Sequence, residues 1–310
     1  MAFNEVYRRQ VELLLRLLPR VAEQDCFALK GGTAINLFVR DMPRLSVDID
    51  LTYLPVSSRE ESLAAINAAM KRIALSIRKA LPEAIVTPAA LKPENAITRM
   101  LVRSNGAQVK IEVTPVLRGC AFEPALRRVP PSVEESFGFA EMLVVSFADL
   151  YAGKIVAALD RQHPRDLFDV RGLLANEGID GTLREAFIVY LLSHNRPMAE
   201  LLAPTRKRLE AEFERGFAGM AATAVTIQDL EDAREALIGS IAGQMSEAHR
   251  RFLLSFERGE PDWSLLAVPG ARDLPAVRWR QRNLDSLDKS ARDALVSRLE
   301  AVLFPGPAHT

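Results

Sequence analysis

Three acidic residues have the type and spacing for divalent-cation chemistry. Asp48 and Asp50 alternate with Val47, Ile49 and Leu51, so a strand over 47–53 carries apolar side chains on one face and both carboxylates on the other. Glu112 has the same setting, between Ile111 and Val113 and on the face of Gln108 and Lys110. Phosphoryl-type transfer needs cations that bridge phosphate oxygens, held by carboxylates of which at least one is shared. Two aspartates at i and i+2 with a third acid on a neighbouring strand meet that need. Such oxygen donors favour Mg²⁺ or Mn²⁺ over zinc. An Asp-x-Asp pair on an amphipathic strand is also what a solvated face looks like, so the surroundings decide.

Upstream, a short apolar run over 26–29 stops at Lys30-Gly31-Gly32-Thr33, and Ala34, Ile35, Leu37, Phe38 and Val39 follow at helical spacing. This pattern predicts strand, glycine turn, helix. Unpaired amides and the dipole at such a helix start can receive a triphosphate, although glycines there also serve backbone geometry alone. Lys30 either adds to that positive charge or is simply exposed.

The elements that must position these residues are legible in part. Val6, Val11, Leu14, Leu15 and Leu18 predict an opening amphipathic helix that ends near Pro19. Ser57 or Ser58 followed by Glu60 and Glu61 marks a helix start, continued to Leu81 and stopped by Pro82. Segments 99–103 and 108–113 flank Asn105-Gly106, a strong turn signal, and predict an antiparallel hairpin. From Phe147 helical patterns dominate, which sets a boundary between a domain over 1–145 and an α-helical domain over 146–310. Helices are expected near 147–160, 166–176, 181–193, 197–219, 227–258 and 287–303, with irregular links at 259–261 and 267–277. The fold class is α+β.

The chain has 310 residues, 48% of them hydrophobic, and 40 basic residues balance 40 acidic ones. A sizeable core is available, while global charge gives no argument for a nucleic-acid partner. Cys26 and Cys120 form neither a zinc motif nor a disulfide framework, which suits a cytoplasmic protein. No export signal is expected at the N-terminus, and no apolar run approaches the roughly 18 residues that span a bilayer.

Lys30-Gly31-Gly32-Thr33-Ala34, Arg44-x-Ser46-x-Asp48-Ile49-Asp50-Leu51, Lys110-Ile111-Glu112, Lys154 and Arg165-Asp166-Leu167-Phe168-Asp169-Val170 occur in that order. Together they resemble the AbiEii/AbiGii toxin family of nucleotidyltransferases, which includes the MenT toxins and belongs to the DNA polymerase β-like superfamily. Residues 274–279 also resemble family members, whereas Gly-Gly-Thr replaces the Gly-Ser of the wider superfamily. The resemblance implies a polymerase β-like domain, a mixed sheet flanked by helices, followed by a helical domain that completes the active-site cleft. It implies that Asp48, Asp50 and Glu112 bind metal, and that Gly31, Gly32, Thr33 and Ser46 face the NTP triphosphate.

By the same resemblance Lys154 binds NTP phosphates and Asp169 has an active-site role. From the residues alone Lys154 reads as a solvated helix lysine. Lys30 and Lys110 are further nucleotide-binding candidates; for Lys110 a surface counter-charge is an equal alternative. Asp166 is expected to cap its helix, and His163 to belong to the turn before it. The acceptor hydroxyl would lose its proton to Glu112 or be activated by a metal.

The family points to a toxin that transfers NMP from an NTP to tRNA 3′ ends, inhibiting translation and growth, with a separately encoded antitoxin. A protein hydroxyl or a small molecule is the alternative acceptor, and a non-catalytic NTP-binding module is a further reading. Arg127-Arg128, Arg206-Lys207-Arg208 and Arg278-x-Arg280-x-Arg282 are candidate RNA contacts that also fit solvated faces, and Trp279 is expected to pack in the core.

Overall fold

The computed structural model describes residues 4–305. The chain forms two compact units, Met1–Ser146 with Phe217–Val225, and Phe147–Gly216 with Thr226–Thr310.

The first unit opens with α1 (Glu5–Ala22), capped by Asn4, whose side chain accepts from the Val6 amide. Pro19 lies inside the helix, which continues one turn beyond the expected stop. Val11, Leu14, Leu15 and Leu18 are buried along one stripe, each contributing about 1.5–3 kcal/mol by leaving water. Then come β1 (Phe27–Lys30), α2 (Gly31–Ala34), which runs on as a π-turn over Ile35–Val39, and β2 (Asp48–Tyr53). Next is α3 (Arg59–Ala80), started by a capping box in which Ser58 Oγ accepts from the Glu61 amide and the Glu61 carboxylate from the Ser58 amide.

The remaining elements of this unit are β3 (Ile85–Leu91), β4 (Ala96–Ser104), β5 (Ala107–Arg118), β6 (Ala125–Arg128), α4 (Pro131–Phe137) and β7 (Glu141–Val144). The strands make one mixed sheet in the order β3-β4-β5-β2-β1-β7-β6. The hairpin turns at Asn105 and Gly106, with φ of 49° and 76°, as a tight two-residue turn requires. Ser104 therefore stands opposite Ala107, and the register runs back to Arg99 opposite Glu112. β5 is parallel to β2, and β2 is antiparallel to β1. β3, β6 and β7 were not expected from the sequence. β3 and β6 are sheet edges with mostly exposed side chains, so neither has the apolar alternation that marks a half-buried strand.

Residues 217–225 belong to the first unit because they clasp the loop before β2 and the start of α1. The Leu45 amide donates to the Met220 carbonyl at 2.8 Å, the Ala222 amide to the Pro43 carbonyl at 2.9 Å, and the Asn4 amide to the Gly219 carbonyl at 3.2 Å.

The second unit is helical: α5 (Phe147–Asp160), α6 (Pro164–Asn176), α7 (Gly181–Leu192), α8 (Met198–Leu202), α9 (Glu210–Gly216), α10 (Ile227–Gly243), α11 (Glu247–Glu257), α12 (Pro275–Asp285) and α13 (Lys289–Leu303). α5 is buried almost all round and packs on α6 and α7, the behaviour of a central core helix. Three expectations change. The helix expected over 197–219 is two short helices around an extended stretch, because Pro204 removes an amide. The helix over 227–258 breaks at residues 244–246, where Ser246 caps a new start. The irregular link expected to reach 277 ends earlier, since Pro275 takes the first position of α12, where its missing N–H costs nothing.

Candidate active site

The sheet register assembles the acidic group. Lys30 on β1 stands opposite Asp50, Asp50 opposite Glu112, and Glu112 opposite Arg99. Directly opposed residues share a face, so a row of alternating charge, Lys30, Asp50, Glu112, Arg99, crosses four strands. Asp48 stands opposite Lys110 one step along the same face. Beneath it, Ile49, Leu51, Ile111 and Val113 are buried and fix which face the acids take.

Close packing explains the two glycines. Gly31 has φ +74°, and a Cβ on it would lie 2.6 Å from Asp50 Oδ2. A Cβ on Gly32 would lie 2.8 Å from an Arg44 guanidinium nitrogen and 2.9 Å from Ser46 Oγ. Arg44 is buried below this turn and donates to the Leu45 carbonyl at 2.9 Å. Its guanidinium thus fixes the loop that carries Ser46. The Asn36 amide ties to the Gly32 carbonyl at 2.9 Å.

Thr33 is wholly buried, and its hydroxyl donates to the Asp48 carbonyl and lies 3.1 Å from Ser46 Oγ. Its visible work is to lock the start of α2 onto β2. Ser46 is buried beside it.

Lys30 Nζ donates to Thr114 Oγ1 at 3.1 Å. Burial pushes its ammonium pKa down, against the opposing pull of Asp50, Cys120 and Glu112. Lys110 Nζ donates to Glu112 Oε2 at 2.8 Å. Burial again works against the charge, but Glu112, Asp48 and Asp50 outweigh it and raise the Lys110 pKa. Lys110 therefore feels all three acids at once.

Among the described residues, no three His, Cys, Asp or Glu side chains stand grouped to hold a metal ion. One reason is visible, since Glu112 is turned to Lys110. The donor chemistry, carboxylates on adjacent strands, suits a hard divalent cation.

In the second unit, Lys154 projects from the central helix α5 and is only 6% exposed. Its Nζ is 2.7 Å from Asp166 Oδ1 and 3.1 Å from Asp169 Oδ2, and Arg161 also pairs with Asp166. Burial alone would raise the Asp166 pKa, but Lys154 and Arg161 reverse the sign and hold it far below the usual carboxylate range. Lys154 is thus not a solvated helix lysine, because the helix that bears it has no solvent face there. Asp166 is not the cap either: His163 is the N-cap, its Nδ1 accepting from the Arg165 amide at 3.1 Å. A side chain in the first turn of α6 points into the core instead.

Arg99 and Thr114 also belong to this arrangement. Arg99 follows from counting back through the Asn-Gly turn. Thr114 lies two residues past Glu112, hence on its face.

The other cationic candidates divide. Arg206 pairs with Glu235 at 2.7 Å and Lys207 donates to the Asp160 carbonyl at 2.9 Å. Arg127 and Arg128 lie on the exposed edge strand β6, Arg128 paired with Glu141. Trp279, expected in the core, is 55% exposed, because the core-facing positions of α12 are Ala276, Val277 and Leu284.

A mixed sheet thus bears an acid pair beside a glycine turn, and the family comparison names the chemistry that goes with it. The model of the nucleotidyl transferase AbiEii toxin family, of type IV toxin–antitoxin systems, matches residues 12–281, and the chain belongs to that family. It is therefore a nucleotidyltransferase, and the family implies an NTP substrate and an antitoxin partner. No curated protein matches the sequence. The fold resembles that of MenT4, a nucleotidyltransferase toxin from Mycobacterium tuberculosis H37Rv, with a TM-score of 0.58 at 14% identity, covering 90% of this chain and 93% of that one. Among the described residues no helix is long and apolar enough to cross a membrane.

Proposed function

We propose that this toxin transfers a nucleoside monophosphate from an NTP to the 3′ end of tRNA, using a divalent cation held by Asp48, Asp50 and Glu112. The observation that carries the reading is the register that sets Lys30, Asp50 and Glu112 side by side, with Gly31 pressed against Asp50. Asp48 and Asp50 supply two carboxylates from one strand face. Glu112 joins them by exchanging its bond to Lys110, which frees the Lys110 ammonium for a phosphate oxygen. A bound Mg²⁺ or Mn²⁺ would neutralise charge on the phosphates and orient the leaving group.

In the transfer the acceptor hydroxyl gives up its proton, to Glu112 or to solvent from a cation-activated hydroxyl, its oxygen bonds to the α-phosphorus, the bond to the bridging oxygen breaks, and pyrophosphate leaves. Lys30, the turn Gly31, Gly32 and Thr33, and Ser46 on the adjoining loop face the triphosphate, where backbone amides and a nearby cation offset its charge. Lys154 and Asp169, carried by the family motif, are proposed as catalytic residues; Asp166, which shares Lys154 with Asp169, positions them.

The test is incubation of the chain and its Asp48→Ala variant with Mg²⁺, each labelled NTP and total bacterial RNA. Label on tRNA-sized RNA that vanishes in the variant supports the reading. Label on protein transfers the proposal to a protein hydroxyl, and tight NTP binding with no label on RNA, protein or small molecules replaces it with a binding module.

A further inference from the structure

The alternating arginines of α12 do two different jobs. Arg280 points inward, donating to the His194 and Arg196 carbonyls at 2.8 Å and pairing with buried Glu257. Arg278 and Arg282, four residues apart and hence on one helix face, point outward and are exposed. They line a cavity of about 600 Å³ together with Arg272, Gln281 and Trp263.

Trp263 is anchored there, its ring 5.2 Å from that of Phe252 and 6.1 Å from that of Phe256. Beside the cavity the Arg282 guanidinium lies 5.5 Å from the centre of the exposed Trp279 ring. No acidic residue lines the cavity. Residues 271–282 hold four arginines and a single acid, Asp273, which pairs with Arg278 at 2.6 Å and with Arg272 at 3.9 Å. Arg282 makes no ion pair among the described residues. In a chain of zero net charge this is a local excess of forked cations next to a flat aromatic face.

We propose that this surface of the second unit binds single-stranded RNA. Arg272, Arg278 and Arg282 take backbone phosphates, and an unstacked base lies on Trp279. Guanidinium groups match phosphate geometry bidentately. An exposed indole accepts any base face, so the combination recognises unpaired RNA without reading its sequence. An acidic protein partner would satisfy the arginines but leave the indole without a planar ligand. Binding here deepens the reading of the chain as an RNA-modifying enzyme, and for its biological meaning rests on it.

Both tryptophans of the chain, Trp263 and Trp279, are at this surface, so intrinsic fluorescence reports on it directly. The test titrates the full chain with a mixed-sequence 12-nucleotide single-stranded RNA, followed by tryptophan quenching and by anisotropy of end-labelled RNA over a range of salt. Trp279→Ala should weaken binding about 5- to 100-fold, with Trp279→Phe recovering part of it. The double variant Arg278→Ala/Arg282→Ala should reduce the slope of log affinity against log salt by about 1.4, the share of two phosphate contacts. Arg215→Ala, an exposed cation on α9 of the same unit, should change neither.

RNA affinity and salt slope unaltered in the Trp279 and Arg278/Arg282 variants would overturn the proposal. So would equal quenching by ATP or by polyglutamate, which would make the surface a mononucleotide or acidic-protein site. Matching thermal melts of the variants exclude misfolding as the cause of any loss. RNA binding that depends on Trp279 in a chain that labels no RNA would sink the transfer reading and keep this one. RNA labelling with binding indifferent to Trp279 would do the reverse.

Discussion

The Asp50 carboxylate lies so close over Gly31 that a Cβ on that glycine would sit 2.6 Å from Asp50 Oδ2. The glycine also holds φ +74°, a left-handed value that costs an ordinary residue roughly 1–2 kcal/mol. Gly31→Ala therefore combines backbone strain with displacement of a carboxylate. It should lower stability by about 2 kcal/mol or more in urea titration and abolish NTP binding in calorimetry. Gly106→Ala is the control: φ is +76° but nothing lies within 4 Å. It should cost only the roughly 1–2 kcal/mol of strain and leave NTP binding intact.

Asp48→Asn and Asp50→Asn keep shape and hydrogen-bonding size while removing charge. Each should leave the melting temperature nearly unchanged and cut nucleotidyl transfer about 100-fold or more, beyond the effect usual for residues that only support a metal ligand. Transfer rates within a few-fold of the parent chain would exclude the aspartate from the metal site.

Lys110 and Glu112 form a half-exposed pair, and such pairs contribute about 0–1 kcal/mol. Lys110→Met should change stability by no more than that. With Glu112 released, half-maximal activity should need less Mg²⁺, while the KM for NTP should rise as a phosphate contact is lost. An unchanged KM would reduce Lys110 to a counter-charge.

Asp166 is buried against Lys154 and Arg161, and its pKa is held below the ordinary value of 3.8. A lowered folded pKa makes its contribution fully present above that ordinary value and lost as pH falls toward the folded one. Asp166→Asn should destabilise the chain by about 3 kcal/mol at neutral pH, since it leaves buried charge under-paired. Its stability should also fall less steeply than the parent's on acidification below about pH 4. Urea midpoints measured from neutral pH down to acid would show it, and parallel curves would remove Asp166 from the acid response.

Strict alternation over 47–53 and 108–113 made the acid-bearing faces readable in the sequence, because a strand turns its side chains over at every residue. Asn105-Gly106 even set the hairpin register, from which Arg99 follows. Ser58 with Glu61 announced α3 in the same local way. The edge strands β3 and β6 were not readable, since edges need no buried face.

Order along the chain, spacing and residue type thus determined the glycine turn, the acid pair, the hairpin and the helical character of the second half, all of which rest on interactions within a few residues. What only the tertiary structure decided is which groups lie where long-range packing puts them. Asp50 is opposite both Lys30 and Glu112 because β2 inserts between β1 and β5. Lys154 is enclosed with Asp166 and Asp169 because the face of α5 that bears it is covered by α6. Trp279 is in solvent because other residues of α12 fill the core. Such outcomes depend on which faces the rest of the chain covers, and no local pattern encodes that.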